Sequence, residues 1–202
     1  MLLHLAWVDL RRWTEWQVAR ALRRRTRAPG SSTRPNRPFN EYDRDNDGKL
    51  DCWKSAGGKP SEARISSRYG ASTWRPGNFH YGVDIASHTA NFGLGQRVRA
   101  IADGVVSPGE PKPANGNYVR IVHGDGRVSL YLHLRDILRS KGQVRAGDEI
   151  GTMNCTGNCG KPPRENTVQS THVHIEIKTS LGAPRVPANR IDPIVYLGNC
   201  QR

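Results

Sequence analysis

Thr171–Lys178 reads T-H-V-H-I-E-I-K and alternates strictly, which is the period of a half-buried strand. On a strand, His172, His174 and Glu176 share one face while Val173, Ile175 and Ile177 share the other. The apolar face belongs in a core, so the imidazole face lines something polar. A short H-x-H is weak by itself, and a strand that merely carries two histidines on its outer face reads equally well. Matching ligands elsewhere in the chain tip the balance. Phe79–Ala86 reads F-H-Y-G-V-D-I-A, with His80 and Asp84 four apart. Zinc takes imidazole nitrogen and carboxylate oxygen, with three protein ligands at a catalytic site. His80, Asp84 and one histidine of the His172/His174 pair make such a set. His133, in the alternating run L-Y-L-H-L of Leu130–Leu134, is a further candidate.

Taken in this order, the stretches resemble the lysostaphin-type zinc endopeptidases that cut peptidoglycan cross-bridges. That family's pattern is H-x-x-x-D, then Y-x-H-L, then H-x-H on a strand. Here these are His80 to Asp84, Tyr131 to Leu134, and His172 to His174. Val98–Val106, Gly116–Gly124 and Val144–Gly151 are similar as well, so the resemblance covers roughly Arg64 to Lys178. It implies zinc on His80, Asp84 and His174 and catalytic roles for His133 and His172. It also implies a mainly β fold, an antiparallel sheet or sandwich of the lysostaphin type (duplicated hybrid motif). The implied activity is hydrolysis of peptidoglycan peptide cross-links. The alternative is a non-catalytic wall-binding or amidase-activating module of the same fold. No H-E-x-x-H helix offers a glutamate base. His172 and His133 can supply both the base and the acid or oxyanion donor. The sequence does not divide these roles between them, and the working assignment is His172 as general base and His133 as general acid or oxyanion stabiliser. Glu176 either orients a ligand from behind or is a solvated strand carboxylate. Residues 155–170 depart from the family, being longer and holding two cysteines. The expectation is a stapled loop beside the cleft that affects which peptide fits rather than the zinc chemistry.

The elements that must position these groups read as short strands: Val98–Ala102, Gly104–Ser107, Tyr118–His123, Val128–His133, Glu149–Met153 and His172–Lys178. Gly, Asn and Asp turns separate them, which argues an antiparallel system rather than βαβ units. Asp125-Gly126 between two alternating runs is a hairpin signal. Arg135–Ser140 is expected to add a helical turn. Tyr118 and Tyr131 read as packing residues, and His4 and His123 as surface residues. His88 tempts a ligand assignment that the resemblance leaves out.

Ahead of this domain (64–202) stand two segments. Residues 1–38 read as a basic amphipathic helix with a Pro/Ser linker. Nine arginines against Asp9 and Glu15 precede Asn40, which is more than half of the net charge of +13. This balance suits an anionic envelope or membrane surface. Nucleic acid ranks low, because no recognition motif accompanies the charge. Residues 39–63 hold Asp43–Asp51, D-R-D-N-D-G-K-L-D, the front of a calcium loop. Asp43, Asp45 and Asp47 would give side-chain oxygens, Lys49 its carbonyl, and Asp51 a direct or water-mediated contact. Position twelve is Lys54 rather than glutamate, and a solvated acidic turn is the competing reading.

The four cysteines, Cys52, Cys155, Cys159 and Cys200, point to an oxidising compartment. The expected pairs are Cys155–Cys159 and Cys52–Cys200, and the C-x-x-x-C spacing argues against a second zinc. The expected location is extracytoplasmic (secreted, periplasmic or phage-delivered), although the N-terminus makes no convincing signal peptide, because Asp9 interrupts its apolar run. No apolar run reaches the length of a membrane span.

Overall fold

The computed structural model describes residues 40–45, 47–71, 78–107, 112–160 and 168–197. The described residues all fall within one compact unit, residues 39–202. The expected basic helix and linker, His4 and Cys200 lie outside the described residues.

The compact unit is mainly antiparallel β. Its strands are β1 (Ala63–Ser67), β2 (Val83–Ser87), β3 (Arg97–Arg99), β4 (Gly104–Val106), β5 (Asn117–His123), β6 (Val128–Leu134), β7 (Gly142–Val144), β8 (Glu149–Thr152), β9 (Val173–Lys178) and β10 (Arg190–Ile191). The main sheet runs β1-β2-β9-β6-β5-β4-β7, with β10 also on β9, and β3 and β8 form a separate pair. One short helix, α1 (Pro193–Leu197), follows. No described helix is long and apolar enough to cross a membrane.

Alternation does what the strand reading requires. Val173, Ile175 and Ile177 of β9 join Ile85, Ile121, Tyr131 and Leu134 in one core. Val98 and Ile150 of the small pair enter that core too. Burying each such side chain contributes roughly 1.5–3 kcal/mol. Leu50 and Ala56, from the segment ahead of β1, are buried in it as well. The Asp125-Gly126 turn joins β5 to β6, with Gly126 at φ 82° and Asp125 Oδ1 accepting the Arg127 N–H at 3.0 Å.

Two expectations are corrected. Arg135–Ser140 forms no helical turn, because its amides pair with β8: Arg135 N–H reaches Thr152 O, and Leu138 and Arg139 N–H reach Ile150 O. His123 is not a surface residue but is only 2% exposed. Its Nδ1 donates to Asp103 O at 2.9 Å and its Nε2 meets Ser129 Oγ at 2.8 Å. Ser129 Oγ in turn lies 3.1 Å from the hydroxyl of Tyr131, which accepts the Ile101 N–H. Both ring nitrogens are thus satisfied away from water, and burial pushes the His123 pKa below 6.5. A depressed histidine pKa favours the neutral ring in the folded state, so its contribution is full above pH 6.5 and fades as pH falls toward the folded value. His123→Asn is therefore expected to flatten the loss of melting temperature on acidification below pH 6.5, measured against wild type.

Candidate metal centre

The central strands β2 and β9 bring the H-x-x-x-D and H-x-H stretches face to face, with Asp84 directly opposite His174 in the ladder. Cross-strand partners share a face, so carboxylate and imidazole meet: His174 Nδ1 lies 2.8 Å from Asp84 Oδ1. His80, just ahead of β2, closes the set with Nε2 3.1 Å from Asp84 Oδ1 and 3.0 Å from His174 Nδ1. Gly82 lets this turn press onto β9, since a Cβ there would fall 2.2 Å from Ile175 O and 2.8 Å from His174 Nε2. These three donor atoms are grouped tightly enough to hold one metal ion.

His133 reaches the same cleft by a route the alternation conceals. Leu132 pairs with His174 and so faces the cleft, and a regular strand would send His133 the other way, beside Tyr131 in the core. Instead β6 carries a bulge, with Asn117 and Val119 opposite Leu134 and Tyr131. His133 itself sits at φ 66°, in the left-handed region. Bulges re-aim side chains in this way beside functional sites, and a non-glycine residue there costs of order 1–3 kcal/mol. The ring ends 5.1 Å from that of His172 and 6.0 Å from that of His174, centre to centre.

Each of the four imidazoles has one nitrogen held by an acceptor, which fixes the role of the other. His80 Nδ1 donates to Arg68 O at 2.8 Å, His172 Nδ1 to Ser170 O at 2.7 Å, and His133 Nδ1 to Thr156 O at 2.8 Å. His174 Nε2 donates to Glu176 Oε1 at 3.3 Å. The Nε2 atoms of His80, His133 and His172 and Nδ1 of His174 are left for the cleft. Glu176, 1% exposed, is therefore the orienting carboxylate rather than a solvated one. Arg190 Nε holds its Oε2 at 2.9 Å, and Arg185 holds Oε1 at 2.7 Å through Nη2.

Charge follows geometry. Burial opposes ionisation of Asp84, but the surrounding His172, His174 and His80 outweigh it and hold the carboxyl well below its usual range. Burial likewise opposes a charge on His174, yet hydrogen bonds to Asp84 and Glu176 lift it to about 9. Glu176 is drawn down to about 2 against its burial, by His174 and then Arg185. Burial, reinforced by the His172 and His174 rings, pushes His133 down to about 3. The cleft, about 610 Å³, is lined by all five of the expected side chains together with Tyr81, Asn115 and Arg185.

The cysteine loop bears on this chemistry more directly than its sequence suggests. Cys155 and Cys159 are disulfide-bonded, as expected. Cys52 is in a disulfide too. Between Cys155 and Cys159 stands Thr156, whose carbonyl fixes His133 and whose Oγ1 donates to Leu134 O at 2.8 Å. Replacing both Cys155 and Cys159 with serine is expected to loosen Thr156, lower stability by about 2 kcal/mol and reduce turnover with metal content unchanged. Thermal melts and metal analysis of the double variant check this.

The loop of Asp43–Asp51 brings carboxylates of Asp43, Asp45 and Asp51 together. Asp47 stands outside that group and accepts the Lys49 N–H at 2.8 Å. The Lys49 ammonium lies over the Tyr196 ring at 4.5 Å. His88 is exposed and apart from the cleft. The sequence reading missed Arg185, Arg190 and the three backbone carbonyls. A buried arginine at a strand start gives no periodic signal, and a carbonyl carries no residue type.

Residues 78–190 match Peptidase family M23. The chain is 35% identical over 132 residues to the DD-carboxypeptidase/endopeptidase Mpg of Neisseria meningitidis, covering 62% of this chain and 26% of that protein. It is 34% identical over 140 residues to the murein hydrolase activator NlpD of Escherichia coli, covering 68% of this chain and 30% of that one. The chain thus spans under a third of the length of these curated relatives. Its fold is that of lysostaphin, with a TM-score of 0.54 at 22% identity over 75% of this chain and 54% of that one. With more than half of its length matched and its fold shared, the chain belongs to peptidase family M23, the lysostaphin-type peptidases.

Proposed function

We propose that this chain is a zinc-dependent endopeptidase that hydrolyses peptide cross-links of bacterial peptidoglycan. The observation that carries the reading is the convergence of His80, Asp84 and His174 at one point of a cleft that His133 and His172 also line. Two imidazole nitrogens and a carboxylate oxygen are zinc's preferred donors. Ligands bonded at 2.0–2.2 Å in a tetrahedron stand ~3.4 Å apart, near the 2.8–3.1 Å seen here. Zinc, when bound there, supplies Lewis acidity toward a peptide carbonyl and toward water. Glu176 keeps the His174 ring in the tautomer that leaves Nδ1 free. His172 accepts the proton of the attacking water at Nε2, and Asp84 Oδ1, 3.7 Å away, steadies the charge it gains. His133, its Nδ1–H held by Thr156 O, faces the same point with Nε2. It serves the departing amine or the oxyanion only after taking up a proton there, a form that its burial disfavours.

That relatives are named a DD-carboxypeptidase/endopeptidase and a murein hydrolase activator supports peptidoglycan peptides as the substrate class, and a cell-wall substrate lies outside the cytoplasm. Within this proposal, 64–202 is the peptidase domain and 39–63 its lead-in. Residues 1–38 form the basic segment that meets an anionic envelope. Delivery as a phage lysin is compatible with that arrangement. Calcium in the Asp43–Asp51 loop is proposed on the narrower ground of three clustered carboxylates. A calorimetric titration with calcium chloride that shows no binding discards it.

Similarity to NlpD favours a second reading, a non-catalytic activator of another wall hydrolase. One experiment separates the two. Purified walls are digested with wild type and with His174→Ala, and the released muropeptides are weighed by mass spectrometry. Under the enzyme reading, new free amines appear with wild type alone and vanish with the variant. Release that survives the substitution and requires an added amidase identifies an activator.

A further inference from the structure

Two guanidinium groups serve one carboxylate at the floor of the cleft. Arg190 is buried, with its side chain 3% exposed, and its Nη1 donates to the carbonyls of Pro184 and Asn189 at 3.0 and 3.1 Å. Arg190 holds Glu176 Oε2, and Arg185 adds a second guanidinium on Oε1 from the cleft side. Arg185 differs in being open to the cleft, which it lines and Arg190 does not. Its side chain is 58% exposed. Nε and Nη2 both donate to Glu176 Oε1, at 3.1 and 2.7 Å. Its guanidinium lies over the Tyr81 ring, 4.4 Å from the centroid. Tyr81 is itself braced edge-on by Phe79 at 5.1 Å, and Phe79 by Tyr69 at 5.1 Å. Among the described residues, Nη1 has no hydrogen-bond partner. Arg185 is also the only lysine or arginine among the described residues that line the cleft.

An arginine locked by a carboxylate on one edge and a ring on one face has little rotamer entropy left to lose. Its free edge then pairs with an anion at small cost, and planar two-oxygen anions suit it best. We propose that Arg185 is a specificity determinant that binds a carboxylate of the substrate peptide beside the scissile amide. The preferred substrates are then peptides with a free carboxylate there, C-terminal or side-chain, rather than neutral oligoglycine bridges. The inference rests on the peptidase reading for its substrate but not for its test.

The test measures binding without cleavage. Three fluorescent stem peptides of alanine, glutamate, lysine and two alanines are compared: one unmodified, one with its C-terminus amidated, and one with glutamine for glutamate. Their affinities for zinc-loaded protein carrying His133→Ala are read by fluorescence anisotropy, with and without Arg185→Gln or Arg185→Lys. Removing the recognised carboxylate is expected to weaken binding about tenfold or more, and the peptide that suffers identifies which carboxylate it is. Arg185→Gln is expected to bind all three peptides equally and weakly, with zinc content unchanged, and Arg185→Lys to restore part of the discrimination. Equal binding of all three peptides before Arg185 is changed overturns the proposal, as does discrimination that survives Arg185→Gln. Loss of zinc from Arg185→Gln also overturns it, assigning Arg185 to the support of Glu176 alone. Discrimination without any cleavage by protein that retains His133 leaves the anchor standing and removes the peptidase reading.

Discussion

His133→Ala is expected to lower turnover on muropeptides by about 10²–10⁴-fold, the range of a lost general acid or base, while the protein keeps its zinc. His133 takes no part in the donor cluster of His80, Asp84 and His174. Its ring centre stands 6.0 Å from that of His174, and its one fixed contact is the Thr156 carbonyl. His174→Ala behaves differently, because it removes a donor and leaves Asp84 and Glu176 facing each other without the ring between them. Zinc content by elemental analysis, measured beside kcat, separates the two effects. If zinc is lost from His133→Ala, the division into ligands and proton carriers is wrong. The fold should tolerate the His133 change, since its left-handed backbone is imposed by the bulge rather than by the side chain.

Arg190→Leu is expected to destabilise the protein by about 3–5 kcal/mol, the usual cost of breaking a buried ion pair from one side. Glu176 is 1% exposed, and Arg190 is its buried partner at 2.9 Å. The exposed Arg185 offers a better-hydrated and weaker replacement. In a domain of this size the loss corresponds to roughly 10 °C in melting temperature. The double variant Glu176→Met/Arg190→Leu should recover part of it, because a buried pair replaced whole by apolar groups is often neutral. A double variant no more stable than the single one would show that packing, and not the orphaned carboxylate, sets the cost. Zinc affinity should fall with Glu176→Met, by about 10–100-fold, as the His174 tautomer is released.

Much of the site was legible because its residues obey the strand period. T-H-V-H-I-E-I-K placed His174 and Glu176 on one face and Val173, Ile175 and Ile177 in the core, and β9 does both. The Asp125-Gly126 hairpin and six strands were visible for the same reason. Strands β1, β2, β7 and β10 were not picked out. β7 and β10 span only three and two residues, and β1 and β2, five residues each, do not alternate in burial, so none of the four shows the period of two. His123 was misplaced because periodicity cannot distinguish a solvated imidazole from one whose two nitrogens are met inside.

By itself the sequence determined the residue types of the candidate metal site, their order along the chain and the β class of the domain. These depend on side-chain identity and on a period of two, which are local properties. Tertiary structure alone decided which nitrogen of each histidine faces the cleft, since carbonyls of Arg68, Thr156 and Ser170 and the carboxylate of Glu176 settle that from distant positions. It also decided that His133 enters the cleft at all. Alternation sends that residue to the core, and one extra residue in the β6 ladder turns it back.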